Sequence, residues 1–203
     1  RLTLRAATGI TGLETAVNEL DATTATGDIE LVDTDGNHEK FAGLQVIQAK
    51  TTVTPATGSS MVSLTAEGTV LVDATGRVSA DTIKLVSTDG SIVVRQPTSG
   101  DSLSYTRGVV FDAGKTIELY RFFNAPEWME YRAGDYFIFG TTQSNATPVT
   151  KLLPTTLTSD TLILEAGEGL SLIGSTITVN RHLELIAGQD VVVKGTINVK
   201  ASH

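Results

Sequence analysis

The stretch from Thr161 to Ala201 constrains the fold of this chain more than any other part of its sequence. It is a series of short triplets in which two apolar residues flank a third residue, with Gly, Asn, Asp or Gln between the triplets. Alternation of this kind is typical of a β-strand with one buried face. The triplets begin at Leu162, Leu170, Ile177, Leu183, Val191 and Ile197.

The first residues of triplets that are three places apart in this series are separated by a nearly constant number of residues. Leu162 and Leu183, Leu170 and Val191, and Ile177 and Ile197 are three pairs with almost the same spacing. Three strands that return after about 20 residues lie in the period range of solenoid proteins. The pattern therefore predicts an all-β fold, a parallel β-solenoid with three strands in each coil of about 20–21 residues.

Residues 61–95 repeat this rhythm. Val62 and Ile83, and likewise Val70 and Ile92, are again separated by about 21 residues. In addition, segment 29–36 is identical to segment 83–90 at six of eight positions. We therefore expect one solenoid domain over residues 1–203, with N-terminal coils in 1–99 and C-terminal coils in 160–203.

Residues 13–20 leave two interpretations open. Leu13, Ala16, Val17 and Leu20 have the spacing of one face of a short helix. Alternatively, the segment is a distorted coil in which Val17, Leu20 and Ala22 face inward.

Residues 100–159 depart from the repeat. Of the eleven aromatic residues in the chain, ten lie between Tyr105 and Phe139. This composition predicts an aromatic-rich insertion, either a loop or β-hairpin extruded between two coils or a locally widened coil, followed by an irregular connection.

Composition argues against several classes of partner. With 15 basic and 23 acidic residues the net charge is −8, which disfavours nucleic acid and anionic membranes as partners. The absence of Cys excludes disulfides and thiolate metal sites. No apolar run approaches the length of a membrane span, so we expect no membrane insertion. Because the chain starts at Arg1 rather than Met, we expect it to be a segment of a longer protein.

The aromatic segment is the candidate binding site, because large rings are costly to leave exposed and must pack on something. They either cover a face of the solenoid or form a contact surface for a glycan or a protein, with arginine side chains as hydrogen-bond donors. The candidate binding residues are Tyr120, Phe122, Phe123, Trp128, Tyr131 and Arg132.

No cofactor or metal site is predicted. The loop that starts at Asp33 is rich in oxygen ligands, but His38 and Leu44 stand where a calcium loop of the EF-hand type needs Gly and Glu. A β-helical carbohydrate-active enzyme remains as a further alternative, because paired carboxylates can hydrolyse sugars. The carboxylates near the aromatic segment are Asp112, Glu118, Glu127, Glu130 and Asp135.

Three segments resemble the repeats of very large bacterial surface proteins of the filamentous-haemagglutinin type. They are residues 8–17, 20–31 and 183–193, which read TGITGLETAV, LDATTATGDIEL and LELIAGQDVVV. The resemblance implies a right-handed parallel β-helix in a stalk, fibre subunit or adhesin that is secreted or displayed on the bacterial cell surface. It implies no catalytic residues. The expected partners are other copies or neighbouring repeats, because open strand edges at solenoid ends can associate, or else a glycan on a host or neighbouring cell.

Overall fold

The computed structural model describes residues 1–34, 43–51, 60–119, 127–139, 156–168 and 170–200. Over these residues the chain forms strands joined by turns and bends, and none of them belongs to a helix that could cross a membrane. The strands are β1 (Leu2–Ala6), β2 (Ile10–Thr15), β3 (Glu19–Thr24), β4 (Ile29–Asp33), β5 (Gly43–Thr51), β6 (Met61–Ala66), β7 (Thr69–Ser79), β8 (Thr82–Ser87), β9 (Ile92–Val94), β10 (Leu103–Ser104), β11 (Gly108–Ala113), β12 (Ile117–Leu119), β13 (Trp128–Ala133), β14 (Phe137–Phe139), β15 (Thr156–Ala166), β16 (Leu170–Ala187) and β17 (Val191–Val199).

The strands stack in parallel as a β-solenoid of about seven turns. One sheet runs in the order β1-β3-β5-β7-β9-β12-β14, with β10 beside β7, and the other runs β17-β16-β15-β13-β11-β8-β6-β4-β2. Since neighbours in each sheet are mostly alternate strands of the chain, every coil contributes to both sheets before the next coil begins.

Three faces arise because the long strands turn corners. Within β16, residues 170–173, 176–179 and 182–187 are three straight segments, and each pairs with a different part of β15 or β17. We call the stack that contains Leu162 and Leu183 the first face, the stack that contains Leu170 and Val191 the second, and the stack that contains Ile177 and Ile197 the third. The register pairs the two residues of each set, so the three strands per coil and the period of about 20–21 residues are confirmed.

The same register confirms the N-terminal repeat. Val62 pairs with Ile83 on the first face, and Val70 pairs with Ile92 on the second. The helix considered for residues 13–20 is wrong, since those residues belong to β2, β3 and the turn between them. The alternative is confirmed, because Leu20 and Ala22 are fully buried in the core. A distorted coil is more stable than a helix here because stacking on β5 buries these side chains more completely than an isolated helical turn would.

The aromatic segment continues the solenoid wherever the structure describes it. Strands β11 and β13 pair with each other on the first face, and β12 and β14 pair on the second. Met129 pairs with Leu162 and Leu162 with Leu183, so the coil that begins at Met129 is much longer than the one that follows it. The choice between an extruded loop or hairpin and a widened coil falls on residues 120–126 and 140–155, which lie outside the described residues.

The core is a set of columns, each filled by one side chain per coil. One inward column of the first face holds Leu31, Leu64, Leu85, Phe111, Tyr131, Leu164 and Leu185, which the register aligns in that order. Each of these side chains is fully buried except Leu31, which is nearly so, and Leu185, which is partly buried in the last coil. Aliphatic residues fill the column in the other coils, and rings fill it in the coils of β11 and β13.

The corner after the first face, which we call the glycine corner, repeats the dipeptide Ala-Gly. It occurs at 113–114, 133–134, 166–167 and 187–188, and the amide of Gly134 donates a hydrogen bond of 2.8 Å to the carbonyl of Ala113 in the coil before it. A Cβ on Gly134 would lie 2.0 Å from the carbonyl oxygen of Gly114, far inside van der Waals contact. Glycine is therefore needed here for the close approach of successive backbones.

Candidate functional site

A column of polar and charged residues follows the corner that leads into the first face. It holds one residue per coil, immediately before the first residue of each first-face segment. The register of Met61, Thr82, Gly108, Trp128, Thr161 and His182 fixes this alignment. We call this column the corner ladder; its members are Ser60, Asp81, Arg107, Glu127, Asp160 and Arg181.

Ion pairs link successive rungs of the corner ladder. The Arg107 guanidinium bonds both carboxylate oxygens of Glu127 through Nε, at 3.0 and 3.1 Å. Further along, Arg181 lies 3.6 Å from Asp160. Because these side chains are about 30 to 70% exposed, each pair contributes at most about 1 kcal/mol. Their main effect is on register, since a coil that slipped by one residue would turn one partner of each pair toward the opposite side of the sheet.

Asp81 is the buried carboxylate of the corner ladder. It accepts hydrogen bonds from the hydroxyl of Thr106 and, at 2.9 and 3.2 Å, from the backbone amide and hydroxyl of Ser60. The hydrogen bond from Thr106 has the largest effect and holds the pKa of the Asp81 carboxyl below its usual value, although burial opposes this shift. Asp81 thus joins three successive coils.

We predict that Asp81 contributes to the loss of stability in acid. Because its pKa is lowered by folding, its contribution is present above the unfolded pKa and is lost as the pH falls from the unfolded pKa through the lower folded pKa. Asp81→Asn should be less stable than the wild type at neutral pH, and its melting temperature should fall less over that range. Thr106→Val, which keeps the carboxyl but removes a donor, should reduce the same acid dependence. Parallel acid profiles for all three proteins would contradict this assignment.

Trp128 stands beside the corner ladder on the outer side of the first face. A Cβ on Gly108 would lie 2.2 Å from the Trp128 indole, so the ring occupies the space that a side chain at position 108 would need. The Arg107 guanidinium lies 5.4 Å from the ring centroid, within the range of a cation–π interaction. The partly exposed indole therefore covers a glycine of the preceding coil and also helps to hold Arg107.

The structure separates the six predicted binding residues. Tyr131 is fully buried, and its ring packs edge-on against Phe111 and Phe137, with centroids 5.3 and 6.4 Å apart. The prediction that Tyr131 lies on a ligand-binding surface is therefore wrong. Strand alternation turns position 131 inward, into the column that also holds Phe111 and Leu164. Tyr120, Phe122 and Phe123 lie outside the described residues.

Arg132, like Trp128, lies on the outer surface, and so does Tyr136, which was not among the predicted residues. Arg132 forms ion pairs with Glu130 on its own strand and, at 3.1 Å, with Glu165 in the next coil. Tyr136 is 48% exposed, and the hydrogen bond between its phenol and Glu168 raises its pKa. Trp128 begins β13 and Tyr136 follows its end, so the two residues stand at opposite ends of a strand whose Cα atoms span about 17 Å at about 3.3 Å per residue. They do not form one stacking platform.

Two of the five carboxylates near the aromatic segment, Glu127 and Glu130, are engaged with arginine. Glu127 pairs with Arg107, whereas Glu130 and Glu165 share Arg132. Among the residues that the structure describes, no group of three or more His, Asp or Glu side chains is arranged to hold a metal ion. His182 lies 3.6 Å from Glu184, while His38 and His203 lie outside the described part of the chain.

Sequence reasoning from apolar triplets missed both the corner ladder and the glycine corner. Their signals are present in the sequence. A polar or charged residue stands two positions before the first apolar residue of the six first-face triplets that begin between Val62 and Leu183, and Ala-Gly follows four of these triplets. Comparison of the chain with protein-family models, with curated proteins and with solved structures finds no match.

Proposed function

We propose that this chain is a non-catalytic structural segment of a secreted or surface-displayed bacterial β-solenoid protein, where it serves as a stalk, fibre subunit or adhesin segment. The observation that carries the proposal is the unbroken parallel pairing of the first face, from β2 to residues 182–187 of β16. Each coil contacts its neighbours through backbone hydrogen bonds and continuous apolar columns, which is how solenoids combine length with stiffness.

Specific contacts between coils support this mechanical role. At the glycine corner the backbones of successive coils approach too closely for a side chain, and the ion pairs of the corner ladder favour one register between coils. About seven turns at roughly 4.8 Å per turn give a stack about 34 Å high. Such a segment holds what lies on either side of it at a defined separation.

The proposal predicts the response of the chain to force. When the chain is pulled from its two ends in optical tweezers, we expect resisted steps, because each coil must break its backbone hydrogen bonds to the next. Unravelling of one coil of about 21 residues should lengthen the chain by about 70 Å. Smooth extension without resisted steps would show that the segment is not a stiff spacer and would overturn the proposal.

Recognition of a glycan by the aromatic segment is the second proposed function, favoured by the partly exposed indole of Trp128 beside Arg107. In this case the wild-type chain should give a signal on a glycan array. Trp128→Ala should lose at least about 80% of it, since loss of one stacking ring costs about 1–3 kcal/mol in comparable aromatic contacts. Tyr136→Ala, which removes the other exposed ring described in this region, is the matched control. Equal signals from the wild type and Trp128→Ala would exclude Trp128 from recognition.

A further inference from the structure

The corner after strand β8 contains a chemically labile dipeptide, Asp89-Gly90. It is the only Asp-Gly sequence among the described residues, since the other one, at 35–36, lies outside them. Glycine has no side chain to hinder the approach of its amide nitrogen to the aspartate side chain. In a flexible chain the Gly90 nitrogen attacks the side-chain carboxyl carbon of Asp89, a C–N bond forms, and water leaves to give a succinimide. When water then cleaves the bond between the Gly90 nitrogen and the main-chain carbonyl carbon of Asp89, the product is isoaspartate.

The folded corner holds the Asp89-Gly90 peptide between two other coils. Gly90 is buried, and its N–H donates a hydrogen bond of 3.1 Å to the hydroxyl of Ser87. Its carbonyl oxygen accepts a hydrogen bond of 2.9 Å from the amide of Lys115, and the amide of Asp89 donates one of 2.9 Å to the carbonyl of Glu67. Because ring closure removes the N–H proton of Gly90, it must break the hydrogen bond to Ser87. The reaction therefore requires local opening of this corner.

Ser87 ties the corner to the preceding coil. Its side chain is almost fully buried, and its hydroxyl donates a hydrogen bond of 2.7 Å to the carbonyl of Gly68 while it accepts the one from Gly90. Five other coils have alanine in the same column, namely Ala66, Ala113, Ala133, Ala166 and Ala187. The hydroxyl is therefore not needed to fill the column. Among these six coils, serine occurs only in the coil whose corner carries Asp-Gly.

We propose that Asp89-Gly90 is a latent site of isoaspartate formation and that Ser87 keeps it unreacted in the folded solenoid. Isoaspartate adds one carbon to the main chain of the corner that joins β8 to β9. The two strands then cannot both keep the register that pairs β8 with β11 and β9 with β12. Protection by Ser87 thus preserves the stacking of this coil on the next, and it is independent of the mechanical function proposed above.

Ser87→Ala tests the proposal, because alanine fits this column but gives the Gly90 amide no acceptor. The folded proteins are kept at neutral pH for weeks and then digested with trypsin. Cleavage after Lys84 and Arg95 releases residues 85–95, in which Asp89 is the only aspartate, and labelling with isoaspartyl methyltransferase measures its isomerisation. We expect the wild type to react at least about 10-fold more slowly than the free 85–95 peptide. Ser87→Ala should react about 10-fold faster than the wild type, since loss of two hydrogen bonds makes local opening more frequent.

Ser60→Ala is the matched control. Ser60 is also a buried serine whose hydroxyl takes part in two hydrogen bonds, both with Asp81, but it lies at the corner that leads into the first face. It should react at the rate of the wild type. Each rate is divided by that of the free peptide with the same 85–95 sequence, so that a direct effect of the serine on the chemistry cancels. A Ser87→Ala protein that reacts no faster than Ser60→Ala would overturn the proposal.

Hydrogen exchange of the wild type gives a measurement that depends on no variant. The Gly90 amide should exchange at least about 10-fold more slowly in the folded protein than in the free 85–95 peptide, because both exchange and ring closure require the corner to open. Exchange or isomerisation in the folded wild type at the rate of the free peptide would show that the corner gives no protection, and would also overturn the proposal.

Discussion

Tyr131→Ala should destabilise the protein by about 4 kcal/mol, the largest effect that we expect from a single substitution. The side chain is fully buried in an inward column of the first face and packs edge-on against Phe111 and Phe137. Its removal leaves a cavity in the core beside β13, which is hydrogen-bonded to β11 on one side and to β15 on the other. The strands cannot move together to fill the cavity without breaking this pairing. The free energy of unfolding in urea would measure the loss.

The solenoid itself supplies the control for this prediction. Leu85 and Leu164 occupy the same column in nearby coils, so Tyr131→Leu should cost only about 1–2 kcal/mol. Trp128→Ala, on the outer side of the same strand, should cost less than Tyr131→Ala because its ring is partly exposed. If Tyr131→Ala were as stable as the wild type, position 131 would not face the core.

Gly134→Ala should cost about 3 kcal/mol or more. The added Cβ would lie 2.0 Å from the carbonyl oxygen of Gly114, which is backbone and cannot rotate away. To accept the methyl group the two coils must separate locally, which stretches the hydrogen bond from Gly134 to Ala113 and its neighbours along the corner. The melting temperature followed by circular dichroism should fall by several degrees.

Two other glycines separate steric overlap from backbone strain. Gly12 has a φ of +65° with nothing within 4 Å of an added Cβ, so Gly12→Ala should cost only the roughly 1–2 kcal/mol of a left-handed backbone. A Cβ on Gly188 would lie 1.9 Å from the carbonyl oxygen of Gly167, almost the same overlap as at Gly134. Gly188→Ala should therefore cost about as much as Gly134→Ala. If Gly12→Ala were the most destabilising of the three, dihedral strain rather than coil spacing would dominate.

The period of the solenoid follows from the order of apolar residues alone. A strand with one buried face must alternate, and a stack of coils must return similar side chains to the same column. For this reason the predicted partners Leu162 and Leu183, and Val62 and Ile83, are paired in the structure. Residues 13–20 were ambiguous because four apolar residues in eight fit both a helical face and a distorted coil.

Other features were decided only by the stacking of coils. The sequence marks Tyr131 as one aromatic residue among ten in a segment, and only the pairing of β13 with β11 and β15 shows that its ring lies inside while that of Trp128 lies outside. The ion pair between Arg107 and Glu127, and the contact of Arg132 with Glu165, join residues 20 and 33 positions apart.

The sequence by itself thus determined the all-β class, the parallel stacking and the length of the regular coils, because these depend on local alternation and its period. The tertiary structure decided which charges meet, where backbones come too close for a side chain, and which aromatic rings are buried. Those properties depend on the register between coils. Because coils differ in length, as the one from Met129 to Leu162 shows, this register cannot be obtained by counting residues along the chain.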